Sequence, residues 1–260
     1  MMRGLWTAAS GMSAQQVNLD VIANNLANVN TTGFKRGRAD FADLMYQTMR
    51  DAGSTTGEGA KVPTGIQIGL GVRTADVQKV FTTGDLKPTS SAMDMAIEGD
   101  GFFAVTMPDG KTAYTRDGAL KVDDQGRVVN SDGYALQPPI AIEAGGSVTV
   151  GPDGTVTVTV NGVSTPTGTK IQLSRFANPA GLSSLGSNLY LPTDASGAAV
   201  TGDPGSAGFG TVAQNMLEMS NVSVVEEMVA MIVAQRAYET NSKAIQASDD
   251  MLAMANQLRR

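Results

Sequence analysis

The sequence predicts an α+β fold in which long N- and C-terminal helices pack as a coiled-coil-like pair and an all-β domain is inserted between them. Three observations carry this. Apolar residues recur every seven places at both ends of the chain, alternating β-branched runs fill the middle, and Asp-Gly pairs punctuate that middle at hairpin spacing.

At the N-terminus Leu5, Met12, Leu19 and Leu26 stand seven apart, and Ala8, Gln15, Ile22 and Val29 sit three places after each. This a/d pattern, with Gln15 its polar exception, predicts a helix of roughly 25 residues with a narrow apolar seam. Asn30-Thr31-Thr32-Gly33 ends it, because Gly33 can take the left-handed conformation that closes helices.

The C-terminus mirrors this arrangement. Leu217, Val224, Met231, Tyr238, Ile245 and Leu252 repeat at seven, and a second row of Ala230, Ala237, Ala244, Met251 and Leu258 falls one place before it. Between the rows lie Ala234, Asn241, Ser248 and Ala255, small enough for close helix approach. Ser223 with Glu226 forms a capping box, Glu226 and Glu227 suit the positive N-terminal end, and Arg259 and Arg260 suit the other. A helix over about 224–258 would be on the order of 50 Å long. Val222, Val225, Val229, Ile232 and Val233 lie off the seam and need cover on several sides. A central core helix of a monomer is one solution, but only the N-terminal helix is present to surround it, so other copies of the chain are the expected neighbours.

In the middle, Ile66, Ile68, Leu70 and Val72 alternate, as do the β-branched residues of Thr155–Val160. Asp-Gly pairs at 100, 109, 117, 132 and 153 and Asn161-Gly162 mark turns. The expected division is 1–35 for the N-terminal helix and motif, 36–94 for an extended or β-hairpin segment and linker, 95–200 for the β-domain, and 201–260 for a return linker and C-terminal helix. Within 36–94, the Gly/Ser/Thr-rich stretch with Gly53, Gly57, Gly59, Pro63 and Gly65 fits no helix or sheet pattern.

The chemistry is defined by what is missing. The 260 residues contain no histidine and no cysteine, which removes His general bases, Ser/His/Asp and Cys/His nucleophile systems, Cys/His zinc sites and disulfides. A net charge of −6 and an aromatic content of 5% argue against nucleic-acid binding, and the one basic cluster, Lys35, Arg36 and Arg38, reads as a solvated loop. The sequence has no apolar run long enough to span a membrane, and polar residues interrupt MMRGLWTAASGMSAQQ before a secretory signal can form, so no cleavable leader is expected and export without one stays open. Asp123-Asp124-Gln125-Gly126 lacks the alternation of a calcium loop, and the glycines at 69–74 and 205–210 lack the pattern of a phosphate cradle. No cofactor is expected. Asp94, Glu98 and Asp100 could serve as the paired carboxylates of a cell-wall hydrolase, although carboxylates beside turns are usually solvated. Met216, Met219, Met228, Met231, Met251 and Met254 crowd the last 45 residues, where an adaptable side chain suits non-identical contacts as well as core gaps.

Two long motifs add a resemblance. Leu19–Lys35 (LDVIANNLANVNTTGFK) and Ser220–Gln246 (SNVSVVEEMVAMIVAQRAYETNSKAIQ) closely resemble the terminal motifs of bacterial flagellar rod and hook proteins, and Gly99–Val105 with Tyr114–Gly118 resembles their first β-domain. Within that family, Arg3–Trp6, Phe34–Arg38, Asp43–Thr48 and Gly65–Val72, together with a single β-domain, fit the branch that builds the distal rod; a proximal rod or hook-type axial protein is the alternative.

The resemblance implies a non-enzymatic structural subunit that polymerises into a rigid hollow rod, transmits torque from motor to hook and carries the export channel. Its helical seams (Leu5, Met12, Leu19, Leu26, Val224, Met231, Tyr238, Ile245 and Leu252) would be assembly interfaces packed as an inner tube, with the β-domain as an outer layer. The stretch from Asp51 to Gly65 would brace neighbouring subunits. Implied partners are further copies of the chain, proximal rod proteins, the hook protein, the peptidoglycan-level and outer-membrane-level rings, the flagellar type III export apparatus and a rod cap. No nucleic acid and no membrane insertion are implied, and the location is the basal-body rod from periplasm to outer membrane. A soluble monomeric coiled-coil adaptor is a further alternative.

Overall fold

The computed structural model describes residues 2–53, 63–142, 146–160, 163–206 and 208–257. Gly57, Gly59, the Asn161-Gly162 turn, Leu258, Arg259 and Arg260 lie outside them. The chain forms two compact units. A helical unit takes Met1–Leu26, Gly37–Gln78 and Val224–Arg260, and a β unit takes Ala27–Arg36 and Lys79–Ser223.

In the helical unit, α1 spans Met2–Ala27 and α2 spans Val224–Gln257, close to the lengths that the heptads predict. Gly11 of α1 lies against Asn241 of α2, and Asn25 donates to the Glu227 carboxylate at 3.3 Å. The residue numbers rise along one helix as they fall along the other, so the pair is antiparallel, and the two contacts are two heptads apart on each helix. The closest row on α2 is the small one, with Ala234 buried and Asn241 and Ser248 half-buried. The large seam residues flank it.

Against α1 lies an extended two-stranded ribbon. Strand Gly37–Asp43 pairs with Val72–Lys79, and Tyr46–Arg50 pairs with Ile66–Gly69 in the register Tyr46↔Gly69, Gln47↔Ile68, Thr48↔Gln67. The Leu44 N–H donates to the Gly71 carbonyl and the Leu70 N–H to the Met45 carbonyl, joining the two ladders into one. At about 3.3 Å per residue, the arm from 37 to 50 reaches on the order of 45 Å. Gly71, at φ +120°, sits where a side chain would strike the Ser10 hydroxyl, and that hydroxyl accepts from the Val72 N–H at 3.3 Å.

The β unit is built on a nine-stranded sheet. Its central strand, Phe102–Thr106, pairs with Thr112–Thr115, Ala135–Gln137 and Leu173–Arg175. Because alternate side chains of a strand face opposite ways, Phe103 and Val105 enter a core with Met95, Ile97, Leu136 and Leu173, while Phe102 and Ala104 enter a second with Tyr114, Phe176, Leu182 and Tyr190. The second core is aromatic: Tyr114 and Phe176 meet edge to face at 4.8 Å, and Phe81 meets both Phe102 and Tyr190. A separate three-stranded sheet contains Ser147–Val150, Thr155–Val160 and Val163–Lys170.

These units run past the sequence-based boundaries. Strand Thr211–Gln214 pairs with Met95–Glu98, and Met216–Glu218 pairs with Leu86–Pro88, so much of 201–223 is sheet rather than return linker. Ala27–Arg36 pack in the β unit, although the sequence-based boundaries place 27–35 with the N-terminal helix. No helix among the described residues is long and apolar enough to cross a membrane.

Candidate assembly surfaces and a buried ion cluster

The expected seam residues fall into two groups. Leu5, Met12, Leu19, Leu26, Met231, Ile245 and Leu252 are half-buried within the helical unit, whereas Val224 and Tyr238 are exposed. Of the off-seam residues, Val222 is buried, and those within α2 are the bare ones. Val225 is 72% exposed and Val233 62%, and Met228, Val229 and Ile232 lie open beside them, which makes an apolar face over the first three turns of α2. Trp6 on α1 is 75% exposed. Monomeric proteins rarely leave such contiguous apolar area in water.

The ribbon is equally uncovered. Met45, Tyr46, Met49, Ile66, Ile68 and Leu70 are all exposed, so apolar side chains stand out along both strands. A two-stranded ribbon has only marginal stability alone, and this one has few neighbours beyond its base. Gly53, Pro63 and Gly65 are exposed near its far end.

A cluster in the β unit overturns the reading of Lys35 as part of a solvated loop. Lys35 is 0% exposed, Glu218 1% and Arg116 2%. The Lys35 ammonium donates to one oxygen of the Glu218 carboxylate and, at 2.7 Å, to the Thr82 carbonyl; Arg116 Nη1 donates to the other Glu218 oxygen at 3.4 Å. The Gly84 N–H also donates to Glu218 at 3.0 Å. Burial pulls Lys35 below its usual pKa, opposed by the adjoining Glu218, and the Arg116 guanidinium is affected in the same way. Tyr190, on the aromatic side of Arg116, is pushed up to about 12, mainly by burial. Arg38 is the cluster member that does remain in water, paired with Asp40.

Backbone geometry fixes the same place. Gly33 has φ +67°, and a β-carbon there would come within 2.5 to 2.8 Å of the Asp117 nitrogen and the Arg116 carbonyl carbon. Its N–H donates to the Glu218 carbonyl at 2.8 Å. Asn221 accepts from the Arg36 N–H at 2.8 Å and donates to the Val80 carbonyl at 2.9 Å. The three sequence motifs therefore meet: Gly33–Arg36 from the first, Tyr114–Gly118 from the β-domain, and Glu218–Asn221 at the edge of the last.

The carboxylates considered for hydrolysis do not form such a centre. Glu98 and Asp100 are exposed, and Asp94 is held in a β-bridge with Ala119. No group of three or more acidic side chains among the described residues could hold a metal ion.

Comparison with known proteins agrees with this anatomy. Residues 5–35 match the flagella basal body rod protein family, 96–158 the D1 domain of the flagellar hook proteins FlgE/F/G, and 213–258 the C-terminal region of the flagellar basal body rod FlgEFG proteins. The flagellar basal-body rod protein FlgG of Borreliella burgdorferi is 53% identical over the whole of both chains, and that of Caulobacter vibrioides is 48% identical over 99% of this chain and 100% of its own. The flagellar hook protein FlgE of Helicobacter mustelae is 46% identical over only 53% of this chain and 30% of its own.

Proposed function

The chain belongs to the FlgG family of flagellar basal-body rod proteins, structural subunits of the distal rod and not enzymes, and from that premise we propose how its copies assemble. The apolar face of Val225, Met228, Val229, Ile232 and Val233 is the observation that carries the reading. Helices of neighbouring copies cover it, packing around a central export channel, with the small row of Ala234, Asn241 and Ser248 giving each subunit's own helix pair a narrow waist. Leu5, Met12, Leu19, Leu26, Val224, Met231, Tyr238, Ile245 and Leu252 border these contacts, and Val224 and Tyr238, the exposed members, reach other copies directly.

The ribbon braces the polymer. Its exposed Met45, Tyr46, Met49, Ile66 and Ile68 pack on adjacent subunits and resist bending, with the segment containing Gly53, Gly57, Gly59, Pro63 and Gly65 at its end. A rod stiffened this way transmits torque from motor to hook. Proximal rod proteins adjoin it below, the hook protein above, and the peptidoglycan-level and outer-membrane-level rings around it, with delivery by the flagellar type III apparatus beneath a rod cap. Electron microscopy of the concentrated purified protein tests the reading: straight hollow tubes are expected, and a compact monomer at every concentration would refute it.

A further inference from the structure

The Lys35–Arg116–Glu218 cluster has a feature that assembly does not explain. Two cations share a single carboxylate in the interior of the β unit, and that carboxylate comes from 183 residues beyond Lys35 in the chain. Glu218 also accepts from the Gly84 N–H through its side chain and from the Gly33 N–H through its carbonyl, while Met219 donates to the Asp85 carbonyl and Asn221 ties Arg36 to Val80. Three separate stretches, 33–36, 80–85 and Arg116, thus depend on one short segment, 216–221. Gly84 permits this fit, because a side chain there would strike the Met219 carbonyl.

We propose that Glu218 is a latch that makes closure of the β unit conditional on arrival of the 216–221 segment. With the segment absent, Lys35 would lie as a buried charge with no carboxylate against it, and Arg116 would keep only the attraction of Asp100, which is a costly arrangement for a fold to hold. The central sheet around Phe102–Thr106 can form from its own strands, but 27–36 and 79–86 stay open until Glu218 neutralises the pair. The subunit therefore completes its β unit last, with residues that directly precede α2. Glu218 acts by positioning other groups, and the inference stands whether or not the chain polymerises as described above.

Hydrogen exchange read by mass spectrometry on the full chain tests it. Glu218→Gln keeps the shape and removes the charge. The amides of 33–36, 80–85 and 112–116 should then exchange faster together, by roughly a hundredfold, while Thr155–Val160 changes by less than about threefold. Acceleration confined to 216–221, or none, would overturn the latch. Should Glu218→Gln fail to fold, the triple variant Lys35→Met/Arg116→Met/Glu218→Leu decides. Removing all three charges should return a folded chain with protection within about tenfold of the parent, since an apolar replacement of a whole buried cluster is tolerated. A triple variant as open as Glu218→Leu alone would show that packing, rather than unpaired charge, holds the segments, and would refute the proposal.

Discussion

Gly11 of α1 lies so close to Asn241 of α2 that a methyl group on Gly11 would come within 2.9 Å of the Asn241 side-chain nitrogen. This contact sets the separation of the antiparallel pair. Close approach at one level lets Asn25 reach Glu227 two heptads away, and it is why the small residues of α2, rather than its large seam, form the middle of the contact.

Substitution at Gly11 should therefore depend on size. Gly11→Ala displaces only the end of the Asn241 amide and gains up to about 1 kcal/mol of helix propensity, so its stability should stay within about 1 kcal/mol of the parent. Gly11→Leu should cost about 1–3 kcal/mol by forcing the helices apart. Urea unfolding followed by helical circular dichroism measures both.

Gly33→Ala should be more damaging although it adds only one carbon. The new methyl meets backbone atoms of Arg116 and Asp117, which cannot rotate away, and the φ of +67° disfavours any side chain. A loss of about 2 kcal/mol or more is expected in thermal unfolding of the β unit.

Asp117 supplies a pH test. Burial holds its carboxyl above the ordinary value of 3.8, against a hydrogen bond from the Ala119 N–H that favours the charged form. Between 3.8 and the raised value the folded chain binds more protons than the unfolded one, so this group's contribution makes stability fall as pH rises through that window. Asp117→Asn can still accept from Ala119 and does not ionise. Its stability should exceed the parent's at neutral pH and lose that acid-side slope; an unchanged slope would show that other carboxylates carry it.

Removal of residues 51–65 should leave the unfolding of the β unit unchanged and yield rods that bend, because Tyr46–Arg50 and Ile66–Gly69 would be joined with no loop between them and their paired ends would open while the base on α1 is kept. Filament curvature in electron micrographs checks this. Rods as straight as the parent's would make the stretch a connector only.

Much of this was legible in the sequence. Heptads such as Leu5, Met12, Leu19 and Leu26 place both helices, and the small row of Ala234, Asn241 and Ser248 already marks the side of close approach. The apolar run Phe102–Val105 falls within the β-domain that the sequence predicts. Lys35 could not be read this way, because local composition makes a Lys-Arg-x-Arg cluster a solvated loop and nothing near it reveals a carboxylate 183 residues away. The strands after 200 were missed for a similar reason. Thr211–Gln214 and Met216–Glu218 are short, and they become strands only by pairing with Met95–Glu98 and Leu86–Pro88, which are remote in sequence.

The central claim is that other copies of the chain cover the open face of α2. Met231 and Ile245 are half-buried in the helix pair, so a charge there would damage the monomer as well as the polymer. Val229 and Ile232 separate the two effects, being 57% and 55% exposed. Sedimentation velocity over a range of concentrations, on the parent and on Val229→Asp/Ile232→Asp, is the direct measurement. The account predicts concentration-dependent polymers from the parent, and from the variant a monomer whose unfolding midpoint is unchanged. Polymers of normal length from the variant would contradict it.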